Sequence, residues 1–321
     1  MKPVLCVGDV CVDLIIPYAQ ALAAKNGASI GRSETEVLPC HGGSVANTAC
    51  AIARLGVPVL FAGACGNDAH GRFLKEGLEQ EGVDCSLLRM DDTMPSQTVL
   101  LVLDERGERT AFAYPAHGGV QHAILSEQFC DDIADRIGWL HVNGMMLRED
   151  PAASTQLSLM QRCFHAGIPV SLDINARIES RNDTAFLRRL MEAKRFCTVI
   201  FGSAVDEIPL LTEQHDAETA ALNLSENGTA VIARSGAQGA VYYCGGERIH
   251  SPAFPVSVVD TVGAGDTFDG AYIAARMHGL APAAALCEAN AAAAVCVGSR
   301  SGRACPTRSE LHAFLQCHSL S

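Results

Sequence analysis

Short runs of aliphatic and β-branched residues alternate along this chain with longer segments whose apolar positions recur at helical spacing. Val4–Val7 is the first run and reads as a strand. Ser44–Leu55 reads as a helix closed by Gly56, Val57–Ala62 as the next strand, and Ala69–Glu81 as a helix stopped by Gly82. Leu140–Val142, Val170–Asp173, Val199–Phe201 and Ala230–Arg234 read as later strands, with helices between them. The last third is helix-rich, over Ala264–Met277, Ala281–Val297 and Ser309–Cys317. This alternation predicts an α/β protein whose mostly parallel sheet is covered on both faces.

Two stretches break the rhythm. Gln97–Asp104 and Arg109–Tyr114 are both β-like and are joined by Glu105-Arg106-Gly107-Glu108, so they predict a hairpin rather than part of a βαβ unit. Leu14–Val37 is not clearly helical and can supply further strands. Parts of about 14–37 and 97–115 therefore predict a small β-element projecting from the main body. No internal repeat, low-complexity tract or Pro/Gly-rich linker interrupts the chain, so 1–321 reads as one domain with that appendage.

Composition narrows the function. The 321 residues are 48% hydrophobic and 19% charged, a globular balance with length for a sizeable core. The net charge of −12, spread along the chain, speaks against a general nucleic-acid binder. Any bound polyphosphate must be neutralised locally by backbone N–H groups, a metal ion or a few basic side chains. The 14 cysteines form no C-x-x-C pair, and Cys6, Cys50, Cys163, Cys197, Cys287 and Cys296 lie in apolar stretches. They read as buried thiols in a reducing compartment rather than a zinc site or disulfide framework. Val4–Val7 after Lys2 is interrupted by Gly8, Asp9 and Asp13 too early for a signal peptide. No uncharged stretch is long enough to span a bilayer, so a soluble, cytoplasmic protein is expected.

The stretch richest in chemistry is Asp260-Thr261-Val262-Gly263-Ala264-Gly265-Asp266-Thr267-Phe268. It follows a strand-like run, Val256–Val259, and opens the helix that runs to Met277. Glycines around one alanine let successive N–H groups turn towards one point at a helix N-terminus, where orphan donors and the helix dipole both favour an anion. Asp266 lies in the first turn. A carboxylate beside an anion pocket offers a base for a hydroxyl proton and donors for the developing charge. Two other readings stand beside this one. Asp266 can be a simple first-turn stabiliser, or Gly263-Ala264-Gly265 can open a dinucleotide fingerprint, although Phe268 replaces the third glycine of G-x-G-x-x-G.

Asp260–Phe268 resembles the C-terminal signature of the ribokinase-like (PfkB) carbohydrate kinases, D-T-x-G-A-G-D-x-F. Their N-terminal pattern is matched by Gly42-Gly43-Ser44-Val45-Ala46-Asn47, Ala53-Arg54-Leu55-Gly56 and Gly63-Ala64-Cys65-Gly66-Asn67-Asp68 with Gly71. The resemblance, from Val4 to about Pro306, implies a three-layer α/β/α fold with a β-lid and transfer of the γ-phosphoryl of ATP to a hydroxyl. Asp266 would be the base, and Gly263, Ala264 and Gly265 would line the anion hole. In resembling kinases an Asp after the first strand binds substrate hydroxyls, which gives Asp13 that role. Gly42, Gly43 and Asn47 would meet the substrate too: paired glycines let backbone approach closely, and Asn47 can both donate and accept. Ribokinases proper carry Lys where Ser44 stands, which weakens the case for ribose.

Asp173-Ile174-Asn175-Ala176-Arg177 resembles the D-x-N-x-R pattern of fructokinase-like and 2-keto-3-deoxygluconate kinase-like members. Asn175 would touch substrate, and Arg177 would hold a phosphate oxygen or a substrate carboxylate, unless it is merely a solvated turn residue. Arg109 on the hairpin would reach substrate from the lid or remain an exposed charge. The family's Asn-x-x-Glu falls near Ser203-Ala204-Val205-Asp206-Glu207, with Ser203 for Asn and Asp206 or Glu207 organising Mg²⁺ through water. The resemblance places the nucleotide near Ser203, Ser235, Gly236, Gly239, Thr261 and Asn290, the last set among alanines that also suit close helix packing. It adds a potential monovalent cation, K⁺, beside Asp260. A sugar-like substrate is expected, with a nucleoside or a non-catalytic sugar or nucleotide sensor as alternatives, and the resemblance also implies a homodimer through the lids, whose open hairpin has edges to cover. His41 reads as structural or exposed more readily than as a ligand.

Overall fold

The computed structural model describes residues 1–17, 39–103, 109–115, 118–176, 182–212, 214, 216–299 and 303–318. The linker Glu105–Glu108, most of Leu14–Val37 and Arg177 lie outside the described residues. The strands are β1 Val4–Val7, β2 Cys11–Pro17, β3 Pro39–Gly42, β4 Val59–Gly66, β5 Asp84–Asp91, β6 Thr98–Leu103, β7 Arg109–Tyr114, β8 Trp139–Asn143, β9 Val170–Asp173, β10 Val199–Ser203, β11 Ala230–Arg234, β12 Ala240–Cys244 and β13 Glu247–Ser251.

Nine strands form the central sheet in the order β13-β12-β11-β10-β9-β8-β1-β4-β5. From β11 to β5 every neighbouring pair is parallel, and β12 and β13 are added antiparallel. The parallel strands are apolar on both faces, as burial under two layers requires. In β1, Val4 and Cys6 enter one core while Leu5 and Val7 enter the other. The first core lies under the helices Ser44–Arg54, Ala69–Gln80, Ala264–Met277, Pro282–Val297 and Arg308–His318, and the second under Ala152–His165, Thr184–Ala193 and Ala217–Ser225. The three-layer α/β/α expectation holds. All 14 cysteines are free thiols, and among the described residues no helix is long and apolar enough to cross a membrane.

The smaller sheet has the order β3-β2-β6-β7. Its hairpin pairs Thr98 with Tyr114 and Leu103 with Arg109, close to the predicted limits. It starts earlier than expected, at Cys11, and takes in Pro39–Gly42. The predicted strand Val256–Val259 is absent. Instead the N–H groups of Val259 and Asp260 donate to Val297 O at 2.7 and 3.2 Å, and Val258 and Val259 are exposed. This run is bound to the end of the helix Pro282–Val297 rather than to the edge strand β13. The β12–β13 hairpin went unread although its turn is Gly245-Gly246, both at positive φ, a two-residue signal of this kind of turn.

β1 is the switch point of the sheet. The chain moves one way from it through β4 to β5, and returns to its other side at β8. In open α/β sheets the crevice beyond the strands' carboxyl ends at such a point takes ligands. Two helices are fixed against it by close approach. A Cβ on Gly270 would lie 2.6 Å from Ala51 Cβ and 2.9 Å from Thr48 O, so the helices Ala264–Met277 and Ser44–Arg54 meet backbone to backbone. Gly270→Val should lower the unfolding free energy by about 1–3 kcal/mol through overpacking, read as a reduced urea midpoint at unchanged slope.

Candidate active site

The helix Ser44–Arg54 has no side-chain cap of its own, because its N-cap is Gly43 at φ 100°, where a Cβ would strike Asp9 O and Val10 Cα at 2.6 Å. Asp9, just beyond β1, supplies the cap from outside. Ser44 N donates to Asp9 Oδ2 at 2.9 Å and Val45 N to Asp9 Oδ1 at 3.2 Å. Asn143 at the end of β8 donates to Asp9 Oδ1 at 2.8 Å. One buried carboxylate thus joins the two strands at the switch point to the start of the helix. Sequence reading missed both residues, although an acid and an amide at the ends of parallel strands lie where ligand sites form.

The helix Ala264–Met277 begins as predicted, with Gly263 as its N-cap in the left-handed region at φ 76°. Its first-turn amides have no partner within the helix. Asp266 stands in that turn, half-buried. Ser44 Oγ donates to Asp266 Oδ1 at 2.7 Å and Asn47 Nδ2 to Oδ2 at 2.9 Å. Asn175, held at φ 42°, donates to Ser44 Oγ at 2.7 Å, a left-handed conformation that Asn tolerates better than most residues. Burial is the largest cause pushing Asp266 up to about 7; the Asn47 and Ser44 bonds pull back, while Asp173 and Asp9 push further. A carboxyl tuned to that range holds and releases a proton near neutrality.

The predicted substrate side converges on the same place. A Cβ at Gly42 would lie 2.5 Å from Asp13 Oδ2, so the glycine makes room for the carboxylate on β2. Arg303, which sequence reading did not single out, is buried here; its Nε donates to Asn47 Oδ1 at 3.1 Å and its Nη2 to Gly42 O at 3.3 Å. An isolated arginine outside any motif gave no signal of this. Arg109 lies on β7, paired with Leu103. His41 stacks on Phe73 at 4.0 Å and bonds its carbonyl oxygen, in agreement with a structural role.

The nucleotide and metal candidates separate. Ser235, Gly236 and Gly239 form the turn after β11, with Ser235 N donating to Gly239 O at 2.8 Å, and Thr261 is exposed at the mouth of the anion turn. Asn290 is buried, and its Nδ2 donates to both Ser251 O and Ser251 Oγ at 2.9 Å, which ties its helix to β13. Asp260 Oδ1 accepts from Val262 N at 2.9 Å. Among the described residues no three His, Cys, Asp or Glu side chains form a metal cage. Magnesium that takes most of its oxygens from phosphates and water needs only one or two carboxylates. Asp206, exposed beside Ser203 Oγ, fits that requirement. Glu207 turns inward instead: its oxygens accept from Ser203 N at 2.7 Å and Ala176 N at 2.8 Å, and burial together with Asp173 raises its carboxyl above the usual range.

A family model described as pfkB family carbohydrate kinase matches residues 1–308. A fructokinase from Klebsiella pneumoniae is 32% identical over 250 residues, covering 77% of this chain and 79% of that protein. The aminoimidazole riboside kinase of Salmonella typhimurium is 30% identical over 329 residues, covering 100% of this chain and 97% of that protein. Among solved structures, a double-mutant fructokinase from Vibrio cholerae O395 in a form with fructose, ADP and potassium ion bound superposes with a TM-score of 0.82 at 27% identity, over 98% of both chains. The chain, with its ribokinase-like fold and its carboxylate in the first turn of a glycine-capped helix, belongs to the pfkB family of carbohydrate kinases and is an ATP-dependent kinase of a sugar or sugar derivative.

Proposed function

We propose that Asp266 is the base of this kinase and that the backbone amides of Gly263, Ala264 and Gly265 cradle the transferred phosphoryl group. The observation that carries the reading is the position of the Asp266 carboxylate, at the N-terminus of one helix and hydrogen-bonded to Ser44 and Asn47 at the N-terminus of another. The acceptor hydroxyl gives its proton to Asp266 while its oxygen bonds to the γ-phosphorus, and the bond from that phosphorus to the bridging oxygen of ADP breaks. Charge on the phosphoryl oxygens meets two helix N-termini and the turn's amides.

The acceptor lies between Asp13, Gly42, Gly43, Asn47 and Asn175, and Arg109 and Arg177 belong to the same reading as further substrate or phosphate partners. ATP lies along Ser203, Ser235, Gly236, Gly239 and Thr261, and Asn290 stands behind that side as a packing residue. Asp206 would hold Mg²⁺ through water, and the ion would neutralise phosphate oxygens when bound. A K⁺ site beside Asp260 belongs to the same reading, supported by the potassium ion bound in the Vibrio cholerae fructokinase. The protein acts in the cytoplasm, and lids of two copies can pair through their edges. A riboside acceptor is the second reading, favoured by full-length similarity to an aminoimidazole riboside kinase. Turnover across fructose, other ketoses and aldoses, and ribosides, each with K⁺ or Na⁺, separates these choices. A chain active on none of them counts against the sugar-like acceptor.

Asp266→Asn should lower turnover by about 10²–10⁴-fold, the usual share of a general base, while ADP binding by calorimetry stays near wild type. Near-normal turnover would remove Asp266 from the chemistry. The pH profile gives a separate check. A base works unprotonated, so kcat/KM for the sugar should fall as pH drops through about 7. The Ser44 hydroxyl holds the Asp266 carboxyl down by donating to its charged form. Ser44→Ala should therefore move the acid limb to higher pH, and an unmoved or lowered limb would contradict the assignment.

A further inference from the structure

Beneath the anion turn lies a second polar cluster that the proposed chemistry does not use. Arg234, the last residue of β11, is largely buried and branches in three directions. Its Nη1 donates to Asp269 Oδ1 at 2.8 Å and to Gly265 O at 3.3 Å. Its Nη2 donates to Asp173 Oδ1 at 2.6 Å and lies 3.7 Å from Glu207 Oε2. Burial alone would lower the guanidinium's affinity for its proton, but Asp173, Asp269 and Glu207 together raise it well above the ordinary value. Asp269 Oδ2 is buried and has no hydrogen-bond partner among the described residues.

As a stabilising device this cluster is a poor choice. Three carboxylates around one guanidinium, out of water, cost desolvation and mutual repulsion that a single cation does not offset. The geometry suggests what the cluster does instead. A Cβ at Gly265 would lie 3.1 Å from Arg234 Nη1, so this glycine also clears the path of the guanidinium to the turn's carbonyl oxygen. Asp269 is one helical turn beyond Gly265, so Arg234 grips the helix start at two successive levels. Asp173 leads by two residues to Asn175, which bonds Ser44 and, through it, Asp266. Glu207 holds Ala176 N in the same loop. One guanidinium therefore links the anion turn to the loop that orients the partner of the base.

We infer that Arg234 is a positioning residue for phosphoryl transfer, fixing the Gly265 turn relative to the Asp173–Asn175 loop without touching sugar or nucleotide. The inference rests on the reading of Asp266 and its turn as the transfer site. A planar fork makes these bonds at once, whereas an ammonium on a flexible stem cannot. Arg234→Lys keeps the charge among the carboxylates but loses the fork. A displacement of about 1 Å at a transfer site can cost on the order of 10²-fold in rate. We therefore expect kcat to fall by about 30–100-fold, with KM for sugar and for ATP within about threefold, in a protein that keeps its circular dichroism and binds ADP. Asp173→Ala should show the same split, and Asp173→Asn, whose amide oxygen still accepts from Arg234, should recover most of the lost kcat; this pair decides the matter if Arg234→Lys fails to fold. Wild-type kcat in Arg234→Lys or Asp173→Ala, a loss appearing in KM instead, or equal defects in Asp173→Ala and Asp173→Asn would overturn the inference. Asp266→Asn assayed alongside separates the two claims. If it is inactive while Arg234→Lys is normal, only the positioning role fails. If it is active, the transfer site itself is wrongly assigned.

Discussion

The site depends on the convergence of two helix N-termini on one carboxylate. Ser44 and Asn47 open one helix, Asp266 lies in the first turn of another, and 222 and 219 residues of sequence separate the bonded pairs. Each helix start presents unpaired N–H groups and the positive end of a dipole. Both ends therefore add positive partial charge at the Asp266 carboxylate, in a chain whose net charge is −12. In a protein this acidic, the backbone at the two helix starts supplies local positive potential that the side-chain balance does not. Gly270 makes the convergence possible, since any side chain there would push the helices apart.

That arrangement also explains the other acids. Asp9 substitutes for a cap that Gly43 cannot provide, and in doing so joins the strands on either side of the switch point to the helix. Asp13 needs the space that Gly42 leaves empty. Both paired glycines are set by carboxyl or backbone neighbours as much as by a ligand's approach.

Much of this was legible in the sequence, and the reason differs from place to place. Ala264–Met277, Val170–Asp173 and Ala230–Arg234 matched residue for residue, because a glycine turn or a short apolar run bounds each of them sharply. Val256–Val259 was misread because an apolar run is satisfied by any extended segment, and here the backbone bonds the end of a helix instead of a strand. Asp266, Asn47 and Asn175 were legible because they stand in motifs that mark backbone turns, whereas Ser44, noticed only as standing in place of a lysine, shows its role in its bonds to Asp266 and Asn175. Arg303, Asn143 and the Arg234 cluster were invisible as a group. Their meaning lies in which strands are neighbours, and sequence spacing carries little of that information.

The backbone contact at Gly270 also bears on synthesis. While the chain emerges from the ribosome, Ser44–Arg54 is complete long before Ala264–Met277 exists, and the face carrying Thr48, Ala51 and Ile52 has nothing to cover it. An unfinished chain therefore holds apolar surface open for most of its translation, a state prone to aggregation and suited to capture by chaperones. The same delay means that the bonds from Ser44 and Asn47 to Asp266 cannot form at any intermediate length, since the second helix start arrives in the final fifth of the chain. Convergence of the two helix starts and burial of that exposed face are reached in one step.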